Sequence, residues 1–210
     1  MDETRTDLPI DPDRTALVVV DAQKAFSSPD GVPVRKGLDP SMVTGRVPAV
    51  RSLVETARTH DLTLVFTRSY RRADGRDAPQ RTYDILPDVY DGAEPSCCAG
   101  TVDVEYAEGI EPGPDEFEVT KKQYDAFNGS ELEWYLRTED VDTLLICGFM
   151  TNVCVESTAR SAHERAFNVV VVRDCCGASS RDAHEAALAN VERILGATAT
   201  SDDIGAVLST

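Results

Sequence analysis

Four short runs of apolar, β-branched residues stand out along the chain, at 15–20, 62–67, 143–149 and 168–173. Runs of this length without polar alternation predict strands buried on both faces. Weaker runs at 116–120 and 197–200 bring the expected total to about six. Between them the apolar period changes. Val43, Val47, Val50, Val54 and Ala57 recur at helical spacing behind Asp39 and Pro40, a plausible cap and first residue. Pro48 leaves two starts open: Pro40, or a point near Val47 where the proline would fall harmlessly in the first turn. Ser130 with Glu133, and Ser179 with Asp182, have capping-box spacing, the second helix running to a stop at Gly196. Strands alternating with helices in this way predict a parallel sheet covered by helices on both faces. Residues 68–116 break the pattern with Pro, Gly, Asp and Arg, and read either as a lid or subunit contact or as a surface excursion.

The 210 residues suffice for one core, so one domain is expected over 14–210 behind a short acidic arm at 1–13. The opening residues lack the basic and apolar stretches of a secretory signal, and no apolar run is long enough to cross a bilayer. A soluble, cytoplasmic protein is the expectation. A net charge of -16 and a pI near 4.5 repel phosphate backbones and acidic lipid, which argues against nucleic-acid and membrane partners. Only four lysines stand among the 21 basic residues. A carboxylate-rich, lysine-poor surface suits concentrated salt, where the Debye length falls to about 3 Å at 1 M. Six cysteines without C-x-x-C spacing, in a chain of this size, point to a reducing compartment and mostly buried fillers.

In an open parallel sheet ligands bind beyond the carboxyl ends of the strands. Asp21 follows the first strand, Lys121 the third, and residues 148–154 the fourth, so all three meet one edge. A buried Asp needs a partner, and Lys121 could supply it. Thr151 reads as an N-cap, placing Cys154 near the third helical position. There the helix dipole should ionise a thiol more readily than in free cysteine. On position alone a small buried packing residue is an equal alternative for Cys154.

The segments ALVVVDAQKAF, VTKKQYDAF and LLICGFMTNVCVESTARSA resemble the three catalytic segments of the isochorismatase-like cysteine hydrolases, over roughly residues 14–204. The resemblance implies a Rossmann-like three-layer α/β sandwich with a six-stranded parallel sheet in the order 3-2-1-4-5-6, and a triad of Asp21, Lys121 and Cys154. It selects Lys121 over Lys122 because the family's lysine lies six residues before the phenylalanine of an Ala-Phe pair, here Ala126 and Phe127. It also implies a cis peptide between Phe149 and Met150, with the amides of Met150 and Cys154 forming an oxyanion hole. Nicotinamidases of this family bind a metal through histidines after the second strand. No histidine stands there, and His60, His163 and His184 lie elsewhere, so neither metal nor other cofactor is expected. TNVCVESTAR is most similar to the ureidoacrylate, biuret and N-carbamoylsarcosine amidohydrolases, which implies a small amide, carbamoyl or ureido substrate and a dimeric or tetrameric assembly. Arg68 could pair with a substrate carboxylate or form a structural salt bridge. Phe26 and Phe127 could wall a pocket or fill the core. Two other readings stay open: acid hydrolysis of a vinyl ether by Asp21 without the thiol, and a noncatalytic binding protein on the same fold.

Overall fold

The apolar runs form one parallel sheet. The computed structural model describes residues 8, 10–74, 76–77 and 95–209. Its strands are β1 (Thr15–Val20), β2 (Thr63–Ser69), β3 (Phe117–Lys121), β4 (Thr143–Phe149), β5 (Asn168–Gly177) and β6 (Ala197–Ala199), in the spatial order β3-β2-β1-β4-β5-β6. All neighbours run parallel. Every residue of β1 and β4 is buried. Both faces at the sheet centre are therefore covered, which is why neither segment alternates with polar residues. The first strand lies between the second and the fourth, so the strand order reverses at β1, and the crevice beyond its carboxyl end is the natural ligand position.

Seven helices surround the sheet among the described residues: α1 (Lys24–Ser27), α2 (Val32–Arg35), α3 (Ser41–Thr59), α4 (Leu132–Thr138), α5 (Glu156–Glu164), α6 (Arg181–Asn190) and α7 (Ser201–Leu208). None is long and apolar enough to cross a membrane. Helix α3 runs straight through Pro48, so the later start near Val47 does not hold. The Asp39 carboxylate caps the earlier start, accepting from Ser41 N at 2.9 Å. Pro48 and Thr44, whose carbonyl loses its partner, are both exposed, and water can replace the missing bond. Val43, Val50, Leu53, Val54 and Ala57 are the buried stripe.

Neither predicted capping box forms. Ser130 does accept from Leu132 N at 3.3 Å, but Glu133 turns outward to Arg165 at 2.9 Å. Helix α6 is capped one residue later than expected, by Ser180 on Ala183 N at 3.2 Å. It passes into a π turn at Val191–Leu195 and ends at Gly196. The one complete box lies at α7, between Thr200 and Asp203.

β5 continues four residues past its apolar run. Ile146 pairs with Val171 but Gly148 pairs with Cys176, so an irregularity takes up the polar residues between. There Asp174 accepts from Ser201 N at 2.8 Å and Ser201 Oγ at 2.6 Å, fastening the start of α7. At the end of β4, Gly148 has φ +115°, and a Cβ there would lie 2.0 Å from Val20 O. The absent side chain lets β4 close onto β1 at the strand end that carries Asp21. Most of the expected arm, and residues 75 and 78–94 of the irregular stretch, lie outside the described residues.

Candidate active site

β1 delivers Asp21 with a left-handed φ of +46°, a conformation that a non-glycine residue holds only where its surroundings fix it. Thr67 of β2 does so twice. Its hydroxyl accepts from Asp21 N at 3.1 Å and donates to Asp21 Oδ1 at 2.7 Å, while its carbonyl accepts the same amide at 3.2 Å. Lys121 ends β3 in register with Ser69. Its ammonium lies 2.6 Å from Asp21 Oδ2, with both side chains fully buried, and donates to Gln123 O at 2.9 Å. Burial by itself would lower the lysine pKa. The negative charge of Asp21, and then the Cys154 sulfur, outweigh it and hold the value above the ordinary range. Oδ2 meets the ammonium as a charge without a well-aligned hydrogen bond, which keeps a lone pair directed elsewhere.

β4 passes through a cis peptide at Phe149–Met150 into a π turn, Thr151–Val155, and then α5. Cys154 is buried in this turn, and its thiol is close enough to feel the charges of both Lys121 and Asp21. The expected capping geometry is absent. Thr151 makes no cap, and its hydroxyl pairs instead with His184 Nδ1 at 2.8 Å, while Val153 N and Val155 N both donate to Met150 O, at 3.0 and 3.2 Å. The wider π ring leaves no ordinary third helical position for Cys154 to occupy. Nor is the thiol acidified: burial pushes its pKa well up, Lys121 pulls it back only in part, and Asp21 raises it further. At rest the group is a neutral thiol beside a carboxylate–ammonium pair.

Several supporting residues were not singled out by sequence reasoning. Gln23 is fully buried and acts as an extra rung beyond the sheet. Its amide donates to Ser69 O at 3.1 Å and Asp103 O at 2.7 Å, and accepts from Ser69 N at 2.7 Å. Asp103, also buried, accepts from Val32 N at 2.9 Å and Cys97 N at 2.8 Å. Together they join the ends of β1 and β2 to α2 and the segment around Cys97. The glutamine two residues after a strand-end aspartate was the available signal. Nothing in the sequence marked Asp103 among 37 acidic residues.

The substrate-contact candidates fare differently. Arg68 forms an ion pair with Glu118, and its guanidinium lies 5.6 Å from the ring centres of both Tyr70 and Tyr106. Its charge is matched within the fold, so the structural salt bridge is the reading that holds. Phe127 is buried, with the Phe167 ring at 5.9 Å and the Arg165 guanidinium over its face at 4.9 Å. It packs within the core cluster. Phe26 is half-buried against the core.

Comparison with known proteins connects this sheet order to a family of hydrolases. The Isochorismatase domain model matches residues 15–203, and the chain belongs to the isochorismatase family. It is 29% identical to a ureidoacrylate amidohydrolase of Caulobacter vibrioides, over 93% of this chain and 92% of that one. A cysteine hydrolase structure from Pseudomonas syringae superposes with a TM-score of 0.83 at 28% identity, covering 100% of this chain and 99% of the other. The N-carbamoylsarcosine amidase of Thermoplasma acidophilum gives 0.72 at 25% identity, over 90% and 97%.

Proposed function

We propose that the protein is a cysteine-dependent amidohydrolase of a small amide, carbamoyl or ureido compound, with Cys154 as nucleophile, Asp21 as base and acid, and Lys121 as fixed cation. The observation that carries this reading is the fully buried Asp21–Lys121 pair, 2.6 Å apart, converging on a neutral thiol. A buried ion pair is at best weakly stabilising against an apolar replacement, so its presence beside sulfur argues for chemistry.

Asp21 takes the thiol proton as sulfur adds to the carbonyl carbon. The negative charge moves from carboxylate to sulfur and on to the carbonyl oxygen under the same ammonium, so the buried site keeps its net charge throughout. The amides of Met150 and Cys154 receive the oxyanion, each such donor being worth roughly 3 kcal/mol. Collapse breaks the C–N bond, and Asp21 returns its proton to the departing ammonia or amine. Water, deprotonated in turn by Asp21, adds to the thioester or thiocarbamate and expels the sulfur, which recovers the proton. In this reading no cofactor takes part, and the chain assembles as a homodimer or homotetramer in the cytoplasm. The names of the ureidoacrylate and N-carbamoylsarcosine relatives support the carbamoyl or ureido class.

The test is ammonia release from a panel of ureas, carbamoyl amino acids, biuret and simple amides, at low and high salt. Cys154→Ala should abolish turnover, and iodoacetamide should label Cys154 ahead of the other five cysteines. A Cys154→Ala protein that turns over the parent's substrate at the parent's rate rejects the covalent route and favours vinyl ether or other acid-catalysed hydrolysis.

A further inference from the structure

Lys121 and Cys154 reach the site from strands that do not touch. Lys121 ends β3 at one edge of the sheet, and Cys154 follows β4, with β2 and β1 between them. Three strand spacings put β3 about 14 Å from β4, and each is laddered to other strands. Something besides the sheet must fix the lysine relative to the turn that carries sulfur.

The loop after Lys121 supplies that link. Its residues 125–127 are fastened to α5, the helix that continues the Cys154 turn. The Asp125 carboxylate accepts from Ser161 Oγ at 2.6 Å through Oδ2 and from Phe127 N at 2.9 Å through Oδ1. Ala126 N, next in the chain, donates to Thr158 Oγ1 at 3.1 Å, both residues being fully buried. Thr158 and Ser161 stand three residues apart on α5 and so share one face. Phe127 completes the junction under the Arg165 guanidinium at the end of that helix. Two residues before Asp125, Gln123 O accepts from Lys121 Nζ at 2.9 Å. An acceptor that aims the ammonium thus belongs to the segment that α5 holds.

Building on the amidohydrolase reading, we propose that Asp125 is a positioning residue: with Ser161 and Thr158 it clasps the lysine's loop to the helix that follows the nucleophile, and through Gln123 O it holds the Lys121 ammonium in place for the reaction. The cation has to stand where negative charge develops on sulfur and then on the carbonyl oxygen. A misplacement of roughly 1 Å at such a group can cost as much as about 100-fold in rate.

Asp125 and Ser161 line a solvent-facing cavity of about 550 Å3 on α5, so water can fill the space that a shortened side chain leaves. The test compares the parent with Asp125→Ala and Asp125→Asn by kcat and KM on the panel compound hydrolysed fastest, and by the rate at which iodoacetamide labels Cys154. Asp125→Ala should lower kcat about 10-fold, the worth of one charge-assisted hydrogen bond, with KM within about twofold. Labelling should slow by a similar factor, because the thiolate forms beside a poorly placed cation. Asp125→Asn should recover most of both, since the amide oxygen still accepts from Phe127 N and the amide nitrogen can donate to Ser161 Oγ. A merely structural role would lower stability in urea and leave kcat per folded molecule unchanged, which overturns the proposal. So does an asparagine variant as impaired as the alanine one, a raised KM at parental kcat, or faster labelling. Should Asp125→Ala not fold, Ser161→Ala removes the same contact from the side of α5 and should lower kcat about 3-fold or more; parental kcat there overturns the clasp. Failure of the underlying reading shows separately. A Cys154→Ala protein at the parent's rate, or no ammonia from any panel compound, rejects the thiol chemistry, and the labelling rates then decide alone: slowed by alanine and restored by asparagine supports the clasp, and equal rates refute it.

Discussion

Replacing Lys121 by Met keeps the length and much of the volume of the side chain while removing the cation paired with a fully buried carboxylate. Asp21 Oδ1 would keep its bond from Thr67, but Oδ2 would lose the ammonium at 2.6 Å. Breaking one side of a buried pair typically costs about 3–5 kcal/mol, because a charge is left without solvent or partner. For a domain of about 200 residues each kcal/mol moves the midpoint by about 2–4 °C, so Lys121→Met should lower Tm by roughly 6–20 °C at neutral pH. A lysine pKa raised on folding contributes stability that is complete below the unfolded value of 10.5 and is lost as pH rises through the folded one, so the pair should weaken only in strong alkali. Urea denaturation at fixed salt would measure both. Asp21→Asn combined with Lys121→Met removes both charges and should be more stable than Lys121→Met alone by at least about 1 kcal/mol. If the lysine variant unfolds within about 1 kcal/mol of the parent, or the double variant gains nothing on it, the pair is not the buried charge couple on which the chemistry was built.

Other outcomes follow from separate parts of the molecule. His184 is buried and bonded to Thr151 at the start of the nucleophile turn, so His184→Ala should lower kcat about 10-fold with KM little changed, and His184→Asn should restore part of the rate. Burial first, then Arg46 and Arg181 against the opposing Glu185, lower the His184 pKa from 6.5. The unfolded chain then takes up the proton first, and this site should cost stability as pH falls below about 6.5, a slope that His184→Asn should flatten. Gly148→Ala should cost more than about 3 kcal/mol or prevent folding, since the new methyl group meets Val20 O at 2.0 Å in a backbone with φ +115°; a soluble variant with parental Tm would contradict the packing. Thermal melts between 0.1 and 2 M KCl should rise by several degrees, because salt screens a net charge of -16, and a flat profile would dismiss the adaptation to salt read from composition.

Strands were legible because burial on both faces leaves an uninterrupted apolar run, and four such runs matched observed strands to within a few residues. β5 outran its run because Arg173 and Asp174 sit in an irregular ladder, where polar side chains escape the core and one of them caps α7. Helix starts were read less well. Pro48 left two starts open, yet its defect faces solvent, and solvent exposure is set by how α3 lies on the sheet. The acidification expected for Cys154 does not arise: the turn that holds it is a π turn, and burial outweighs any acidifying influence of the helix beyond.

Arg68 draws the boundary most clearly. Phe66 and Arg68 both approach Tyr106, whereas Thr67, one residue out of phase, reaches Asp21. Side chains on a strand alternate between faces, and the sequence lists both faces without saying which one turns toward the site. By itself the order of residues settled that an acid follows β1, a lysine ends β3 and a thiol lies in the turn after β4, because the buried runs of β1 and β4 fix where those strands stop. Only the packed sheet decided that Arg68 would be matched by Glu118 and that Asp103 would tie two segments together, because charge pairing depends on distances between segments far apart in the chain.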